Sequence, residues 1–387
     1  MIKRILETKI RLLAKKFPVV SVTGPRQSGK TTLIKSMFPD LRYESLEDPD
    51  TRLLAINDPR KFLGSDKKMI IDEIQRVPEL FSYIQTITDN TNIPGQYIIS
   101  GSQSFLLNQH ISQSLSGRVA ILNLMPLSFS ELRDYSTPVK DYEKLIYNGF
   151  YPRLYDKGIN PGDFYPNYIQ TYIERDVRLL QNIQDLSLFV RFLKLCAGRT
   201  GQLLNMNSLA NDCGISPNTA KSWISVLEAS YVIFLLQPHH KNYKKRIVKM
   251  PKLYFIDTGL ASSLLEIHSE KQLSTHFLRG ALFENFILSE LIKRRYNDGL
   301  KSNCYFWRDN KGVEIDCIIE TGNKLTPVEI KSANTFNQDF YKNLNYWNKL
   351  SDNQGENSFV VYGGEKSADT KDGKLLSWSD IYQIPQD

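Results

Sequence analysis

The stretch VVSVTGPRQSGKT, residues 19–31, decides the fold of the N-terminal part of this 387-residue chain. An apolar run of β-branched residues leads directly into G-x-x-x-x-G-K-T, which is followed by the helix-like segment TLIKSMF. Strand, glycine loop and helix in this order are typical of a phosphate loop, where backbone amides and a helix N-terminus surround phosphate oxygens. The pattern predicts a nucleotide site, and the alternative is a glycine turn that only joins a strand to a helix.

The polar residues of this loop each have a predicted role. Lys30 would contact the β- and γ-phosphates of ATP, while the Thr31 hydroxyl would ligate Mg²⁺ and Thr32 would reach the α-phosphate. The residues expected to surround the nucleotide are Gly24, Gln27, Ser28, Gly29, Lys30, Thr31 and Thr32.

A second apolar run, MIIDE at residues 69–73, ends in two carboxylates and predicts the catalytic half of the site. Asp72 would hold the metal with its water shell, and Glu73 would act as the base that polarises the attacking water. An Asp-Glu pair at a strand end is otherwise commonly a solvated turn. Its position after a complete phosphate loop favours the catalytic interpretation.

Two further residues are predicted to sense the γ-phosphate. The segment YIISGSQS, residues 97–104, offers Ser100 and Ser102 after its apolar part, and Ser100 is the preferred sensor. Arg118, in the turn LSGRV before the next apolar run, is the expected arginine finger. It would act within its own chain or from a neighbouring subunit, so a homo-oligomer stays open. The alternative for Arg118 is an ordinary surface arginine.

Composition limits the class of protein. A chain of 387 residues exceeds one ordinary hydrophobic core, so two or three domains are expected, and 41% hydrophobic with 24% charged residues is typical of globular proteins. No apolar run is long enough to cross a membrane. Four scattered cysteines predict neither a zinc site nor a disulfide framework, which favours the cytoplasm. A net charge of +7 would favour an anionic partner where it is clustered.

Several segments together resemble one family. These are GPRQSGKTT, YESLEDPD, IIDEIQRVPELF, IISGSQSFLL, SGRV and LMPLSFSEL, with IERDV, DTGL and RGALFENF later in the chain. They are similar to the AAA+-like bacterial and archaeal ATPases that are fused to a C-terminal domain of unknown function. The resemblance implies an ATP-binding ASCE-type sheet with a small helical lid. At the lid, Phe150 replaces the second glycine of the family's Gly-Gly-aromatic-Pro pattern.

The middle of the chain has the pattern of a helix-turn-helix. Residues 207–229 predict two helices joined at Gly214, the second capped by Ser216, and a basic β-hairpin follows, so the unit resembles a winged helix. The residues expected to contact nucleic acid, with DNA preferred, are Lys221, Lys241, Lys244, Lys245 and Arg246. The alternative is a unit that only packs domains together, with the lysines on a solvated hairpin.

The last section carries acids and a lysine in a recognisable order. Glu284 lies on a predicted helix, Asp316 on a strand, and Glu329 and Lys331 lie two apart on the next strand and therefore share a face. This arrangement resembles the restriction-endonuclease-like PD-(D/E)XK fold. The resemblance implies metal binding by Asp316 and Glu329 with Glu284 nearby, and a Lys331 that orients water. The alternative is a charged face on an amphipathic strand.

The predicted fold class is therefore α/β. The predicted architecture consists of a P-loop ATPase domain (1–135), a helical lid with linker (136–185), a winged helix (186–256) and a PD-(D/E)XK-like α/β domain (257–387). The leading hypothesis is a Mg²⁺-dependent ATPase whose nucleotide state controls a nucleic-acid-contacting half. Two rivals stay open: an ATP-driven switch with a non-catalytic nuclease-like domain, and an assembly ATPase with no nucleic-acid role.

Overall fold

A computed structural model describes residues 2–64, 68–102, 111, 114–135, 141–177, 185–239, 248–353 and 355–386. The N-terminal part is a parallel five-stranded sheet in the order β2-β3-β4-β1-β5. The strands are β1 (Val19–Thr23), β2 (Arg42–Ser45), β3 (Met69–Asp72), β4 (Tyr97–Gly101) and β5 (Val119–Asn123). The helices are α1 (Glu7–Ala14), α2 (Lys30–Met37), α3 (Pro49–Asn57), α4 (Pro59–Leu63), α5 (Leu80–Thr91) and α6 (Phe129–Tyr135).

This sheet explains the uniformly apolar strands that the sequence shows. Helices cover both faces, so successive side chains are buried on opposite sides: Val19 packs in one core, and Val20 packs in another against α2. The strand β4 lies between β1 and β3, which is the arrangement of the ASCE class that the resemblance implies. Because all five strands run parallel, the carboxyl ends of β1, β3 and β4 meet at one edge.

The middle of the chain is helical and ends in a two-stranded hairpin. It contains α7 (Tyr142–Asn148), α8 (Pro152–Asp156), α9 (Pro161–Tyr168), a π-helical stretch (Ile169–Val177), α10 (Leu186–Ala197), α11 (Met206–Cys213), α12 (Pro217–Ala229), β6 (Ile233–Leu236) and β7 (Lys252–Phe255). Helix α11 ends at Gly214, whose φ is +80°, and Ser216 caps α12 by accepting the Thr219 N–H at 3.0 Å. The predicted turn and cap are therefore present.

The last part is a six-stranded mixed sheet in the order β12-β13-β11-β10-β9-β8. Its helices are α13 (Thr258–Leu264), α14 (Glu270–Thr275), α15 (Arg279–Asn297) and α16 (Lys342–Ser351). Its strands are β8 (Cys304–Arg308), β9 (Glu314–Thr321), β10 (Lys324–Lys331), β11 (Phe359–Tyr362), β12 (Ala368–Thr370) and β13 (Gly373–Ser377). Strands β9 and β10 form a hairpin whose turn contains Gly322.

A single hydrophobic core joins the middle and last parts. Its buried side chains run from Leu127 through Trp223 and Phe286 to Trp378. The lid helices, the helix-and-hairpin unit and the last sheet therefore pack as neighbours that share one interior. Among the described helices, none is long and apolar enough to cross a membrane.

Candidate functional site

The phosphate loop wraps its own lysine. Gly24 has a φ of +146°, and a Cβ there would lie 2.1 Å from the Leu124 carbonyl oxygen, so only glycine fits. The Lys30 ammonium donates to the carbonyls of Gly24 and Pro25, both at 2.9 Å. Burial lowers the pKa of Lys30 to about 8, although Glu73 and Asp72 act in the opposite direction.

The loop also presents polar atoms that have no partner among the described residues. Buried side-chain oxygens of Gln27 and Ser28 make no hydrogen bond. Gly29, with a φ of +92°, is the N-cap of α2, so the first amides of that helix open into the same space. The adjoining cavity encloses about 480 Å³, and Thr31 and Thr32 also line it. Buried orphan polar groups beside a helix N-terminus suit an anionic ligand.

Asp72 lies at the centre of a hydrogen-bond cluster at the carboxyl edge of the sheet. Its Oδ2 accepts from the Thr31 hydroxyl at 2.7 Å and from the Tyr43 hydroxyl at 3.0 Å, and its Oδ1 accepts from Ser100. A threonine hydroxyl beside a 94%-buried carboxylate is the donor set that Mg²⁺ prefers, so the residues present fit this ion. Ser100 thus contacts the predicted metal ligand.

Glu73 adopts a left-handed conformation, with a φ of +53°, which is unusual for a residue other than glycine. Its Oε2 accepts from the Ser102 hydroxyl at 3.1 Å, from the Ser102 amide at 3.4 Å, and from the Gln75 side chain. The carboxylate is buried and lines the same cavity as Lys30. The structure therefore holds a candidate base at a fixed position beside the phosphate loop.

Sequence reasoning missed Tyr43 and Gln75. Tyr43 lies on β2 and contacts Asp72 on the neighbouring strand β3, and burial raises the pKa of Tyr43 to about 12. Gln75 follows Glu73 by two residues. Tyr43 lies in the family-like segment YESLEDPD, but nothing in that segment predicts a chemical role for it.

Arg118 is not brought to this site. It directly precedes β5 and pairs with Asp89, to which its Nη2 donates at 3.0 Å. Since β5 runs parallel to β1, with Val119 opposite Val19, Arg118 lies at the amino edge of the sheet. Five residues of strand at about 3.3 Å each separate it from the phosphate loop by roughly 15 Å. The prediction that it acts within its own chain is wrong for this geometry, and a role across a subunit interface stays a prediction.

Other arginines do reach the cavity. Arg153 on α8 is exposed and lines the cavity together with Pro152 and Asp156. Arg4 is buried, donates to the Ser28 carbonyl at 2.8 Å and forms an ion pair with Glu131 at 3.0 Å. A single sequence gave no signal for either residue, because both approach the loop from distant parts of the chain.

The segment before α8 attaches the lid to the last part of the chain. Asp257 accepts from the Phe150 amide and from the Tyr165 hydroxyl, both at 2.7 Å, and burial raises the pKa of its carboxyl. Gly149 has a φ of +66°, and a Cβ there would lie 1.8 Å from the Tyr165 hydroxyl. Phe150, the departure from the family pattern, stacks on Phe286 of α15 with ring centres 5.7 Å apart.

The turn after α12 is bound to the nucleotide domain. The Tyr231 hydroxyl lies 2.7 Å from the Asn123 side-chain oxygen and 2.9 Å from the hydroxyl of Thr23, the residue that precedes the phosphate loop. Beside it, the Tyr172 hydroxyl donates to the Ser230 carbonyl at 3.3 Å. The helix-turn-helix therefore touches the strand that leads into the phosphate loop.

The predicted nucleic-acid contacts are only partly described. Lys221 lies on the exposed face of α12. The basic hairpin residues Lys241, Lys244, Lys245 and Arg246 lie outside the described residues.

The four predicted residues of the last domain come together at the hairpin of β9 and β10. Asp316 accepts the Ile330 amide at 2.8 Å, and the Lys331 ammonium lies 2.6 Å from Glu329 and 3.9 Å from Asp316. Ligand oxygens of Glu284, Glu314 and Asp316 lie within 4.8 Å of one another. Burial is the largest cause that raises the pKa of Glu284 to about 7 and that of Glu329 to about 8.

A residue that sequence reasoning missed enters this cluster from the preceding hairpin. Lys252 of β7 is buried, and its ammonium forms ion pairs with Glu314 and, at 3.0 Å, with Glu284. The Tyr254 hydroxyl donates to Glu284, and Arg308 pairs with Glu314 at 3.2 Å. Burial opposes the ammonium of Lys252, but the surrounding carboxylates outweigh it and raise its pKa.

Three family models match the chain in succession. A model described as an AAA domain matches residues 16–133, and two models described as domains of unknown function, DUF8612 and DUF4143, match residues 139–271 and 279–381. The first match supports a P-loop, AAA-type ATPase domain at the N-terminus.

Relatives cover most of the chain. Uncharacterized proteins of Mycobacterium tuberculosis (Rv2008c) and Mycobacterium bovis (Mb2031c) are each 31% identical over 339 residues, which are 86% of this chain and 74% of theirs. An uncharacterized protein of Haemophilus influenzae is 21% identical over 71% of this chain and 74% of its own.

Two solved structures are similar at low identity. The Walker-type ATPase PABY2304 of Pyrococcus abyssi aligns with a TM-score of 0.46 and 13% identity over 68% of this chain and 96% of that one. AMPPCP-bound DnaA from Aquifex aeolicus aligns with a TM-score of 0.29 and 13% identity over 58% and 86%. At TM-scores below 0.5, neither alignment establishes a common overall fold.

Proposed function

The chain belongs to the same protein family as its mycobacterial relatives, and from its match to the AAA domain we propose that it binds ATP with Mg²⁺ and hydrolyses it. The observation that carries the proposal is the cluster in which Thr31 and Asp72 share a hydrogen bond of 2.7 Å beside the buried Lys30. Lys30 would bind the β- and γ-phosphates, and the orphan Ser28 hydroxyl and the loop amides would complete the phosphate contacts.

The magnesium ion would be held by the Thr31 hydroxyl and by Asp72. When bound, it would neutralise charge on the β- and γ-phosphates. Glu73 would accept a proton from the attacking water, and Ser102 and Gln75 would fix its carboxylate in position. Ser100, through Asp72, would keep the metal ligand aligned. Arg153, which is exposed on the lid and lines the same cavity, would contact the nucleotide.

ATP binding by the Lys30→Ala variant tests this function. Calorimetry on the full chain should show tight binding for the parent and its loss for K30A, since a buried charge-assisted contact to phosphate is removed. Lys16→Ala, at an exposed lysine between α1 and β1, is the matched control and should bind like the parent. Equal ATP affinity in K30A and the parent would refute the assignment.

We further propose that the nucleotide state controls a half of the chain that contacts nucleic acid, with DNA preferred. Support comes from the contact between Tyr231 and Thr23, which joins the winged-helix-like unit to the strand before the phosphate loop. The exposed Lys221 and the basic run at residues 240–247 supply positive charge for phosphate contacts. ATP turnover measured with and without assorted nucleic acids tests this control, and a rate unchanged by every nucleic acid would favour an assembly ATPase.

The last domain has two candidate roles, a PD-(D/E)XK-like nuclease or a non-catalytic recognition module within an ATP-driven switch. The meeting of Glu284, Asp316, Glu329 and Lys331 supports the nuclease-like fold. The ion pairs of Lys252 with Glu284 and Glu314 favour the non-catalytic role.

A further inference from the structure

The acid cluster of the last domain already contains a cation. Lys252 is 2% exposed, and its ammonium contacts Glu284 and Glu314, two of the three carboxylates that together have the spacing of a metal site. The charge of the third, Asp316, also acts on it. A divalent ion bound by these three oxygens would have to occupy the position where the ammonium lies.

Backbone hydrogen bonds hold Lys252 in position beside the acids. In the hairpin, Lys252 is the register partner of Leu236, and on its other side it bridges to Leu203. The neighbouring residues are also tied: the Leu204 amide donates to the Pro251 carbonyl at 2.8 Å, and the Gly201 amide donates to the Leu253 carbonyl at 2.9 Å. The backbone of Lys252 is therefore held in place, and its buried side chain extends from a fixed point beside the acids.

The other cations of the cluster offset most of its remaining negative charge. Lys331 pairs with Glu329 and Asp316, and Arg308 pairs with Glu314. Among the described residues, four carboxylates thus face three cationic side chains. Carboxylates that are already paired in this way gain little from a further cation, because binding it would break existing ion pairs and leave an ammonium buried without a partner.

We infer that Lys252 takes the place of a divalent metal ion in the last domain, so that the cluster of Glu284, Glu314 and Asp316 is an internal ionic lock between the hairpin and the last sheet. The inference rests on the proposed PD-(D/E)XK-like character of this domain and assigns it the recognition role. The metal that the resemblance implies does not fit the residues present, and no cleavage step is derived through it.

Manganese binding tests the inference without nucleotide or activity. Free Mn²⁺ is measured by electron paramagnetic resonance during titration of the full chain with Asp72→Asn, which removes the carboxylate of the phosphate-loop metal site. This protein should leave Mn²⁺ free. Adding Lys252→Met should create one Mn²⁺ site, because three carboxylates then lack their cation. The protein with both substitutions should bind Mn²⁺ at least about tenfold more tightly than the Asp72→Asn protein does. Adding Asp316→Asn as well should abolish that site.

Lys249→Met is the matched control, since Lys249 is an exposed lysine three residues from Lys252. It should create no site. Circular dichroism and thermal unfolding, with and without Mn²⁺, show whether K252M folds, and K252Q replaces it if it does not.

Three results overturn the inference. One is Mn²⁺ uptake by protein that retains Lys252, lost on Asp316→Asn. Another is a folded K252M or K252Q protein that gains no site. The third is plasmid nicking that requires Asp316 while Lys252 is present. None of these outcomes bears on ATP binding, so the two proposals can fail separately.

Discussion

The low pKa of Lys30 predicts that ATP affinity falls in mildly alkaline solution. Burial lowers this pKa from 10.5 to about 8, and the ammonium must be charged to bind phosphate. Lys30 therefore carries its charge below pH 8 and loses it progressively above. The perturbation is a change of pH from 7 to 9.5, with no substitution needed.

The magnitude follows from the fraction of charged lysine. At pH 9, one unit above the pKa, about a tenth of the molecules keep the ammonium, so the apparent Kd for ATP should rise about tenfold relative to pH 7. The rise should level off when the neutral form begins to bind, because a hydrogen bond to a charged group contributes about 1.5–3 kcal/mol.

The lowered pKa of Lys30 also determines how the stability of the nucleotide-free protein changes with pH. A lysine whose pKa is lowered in the folded state binds fewer protons there than in the unfolded state between about pH 8 and pH 10.5. The free energy of unfolding of the parent should therefore rise with pH in that window, relative to Lys30→Met, by on the order of 3 kcal/mol in total.

Isothermal titration calorimetry at constant Mg²⁺ and ionic strength measures the effect, and buffers of different ionisation enthalpy reveal proton uptake on binding. Lys30→Arg is the control, because a guanidinium stays charged throughout and its profile should be flat. A parent Kd that stays constant from pH 7 to pH 9.5 would refute the reasoning about the buried lysine.

Two further predictions concern the contacts that join the parts of the chain. Gly149→Ala should lower the free energy of unfolding by about 1–3 kcal/mol from backbone strain alone. It should also weaken ATP binding, because the new Cβ would displace Tyr165. Thermal unfolding with and without ATP measures both effects, and a variant that unfolds like the parent contradicts the prediction. Tyr231→Phe should lower the free energy of unfolding by about 1 kcal/mol and leave ATP affinity near the parent value. It should reduce any effect of nucleic acid on ATP turnover. If nucleic acid changes the turnover of the variant as much as that of the parent, coupling through Thr23 is contradicted.

The phosphate loop and the two acids at the end of β3 could be predicted because each lies in one short segment that follows or ends an apolar strand. A parallel sheet then brings Lys30, Asp72 and Ser100 to one edge, whatever the rest of the chain does. Tyr43 joins the same cluster from β2, but a tyrosine on a short strand has many explanations, so its role appears only when the strand order is known.

Arg118 and Lys252 show where sequence reasoning fails. Arg118 precedes a strand of the correct sheet but lies at its wrong edge, a distinction that depends on where the strand begins. Lys252 lies in the same hairpin as the basic residues expected to contact nucleic acid or solvent, yet its side chain is buried against the acids of the next domain. Its partners Glu284 and Glu314 follow it by 32 and 62 residues in sequence, and only tertiary packing brings them together.

The most direct test of the ATPase is a comparison of the parent with Glu73→Gln. The amide keeps the size of the side chain and can still accept the Ser102 hydrogen bonds, but it cannot take a proton from water. ATP affinity should stay within about twofold of the parent, while phosphate release at saturating ATP and Mg²⁺ should fall by about 10²–10⁴-fold. Phosphate release at the parent rate by Glu73→Gln would contradict the account.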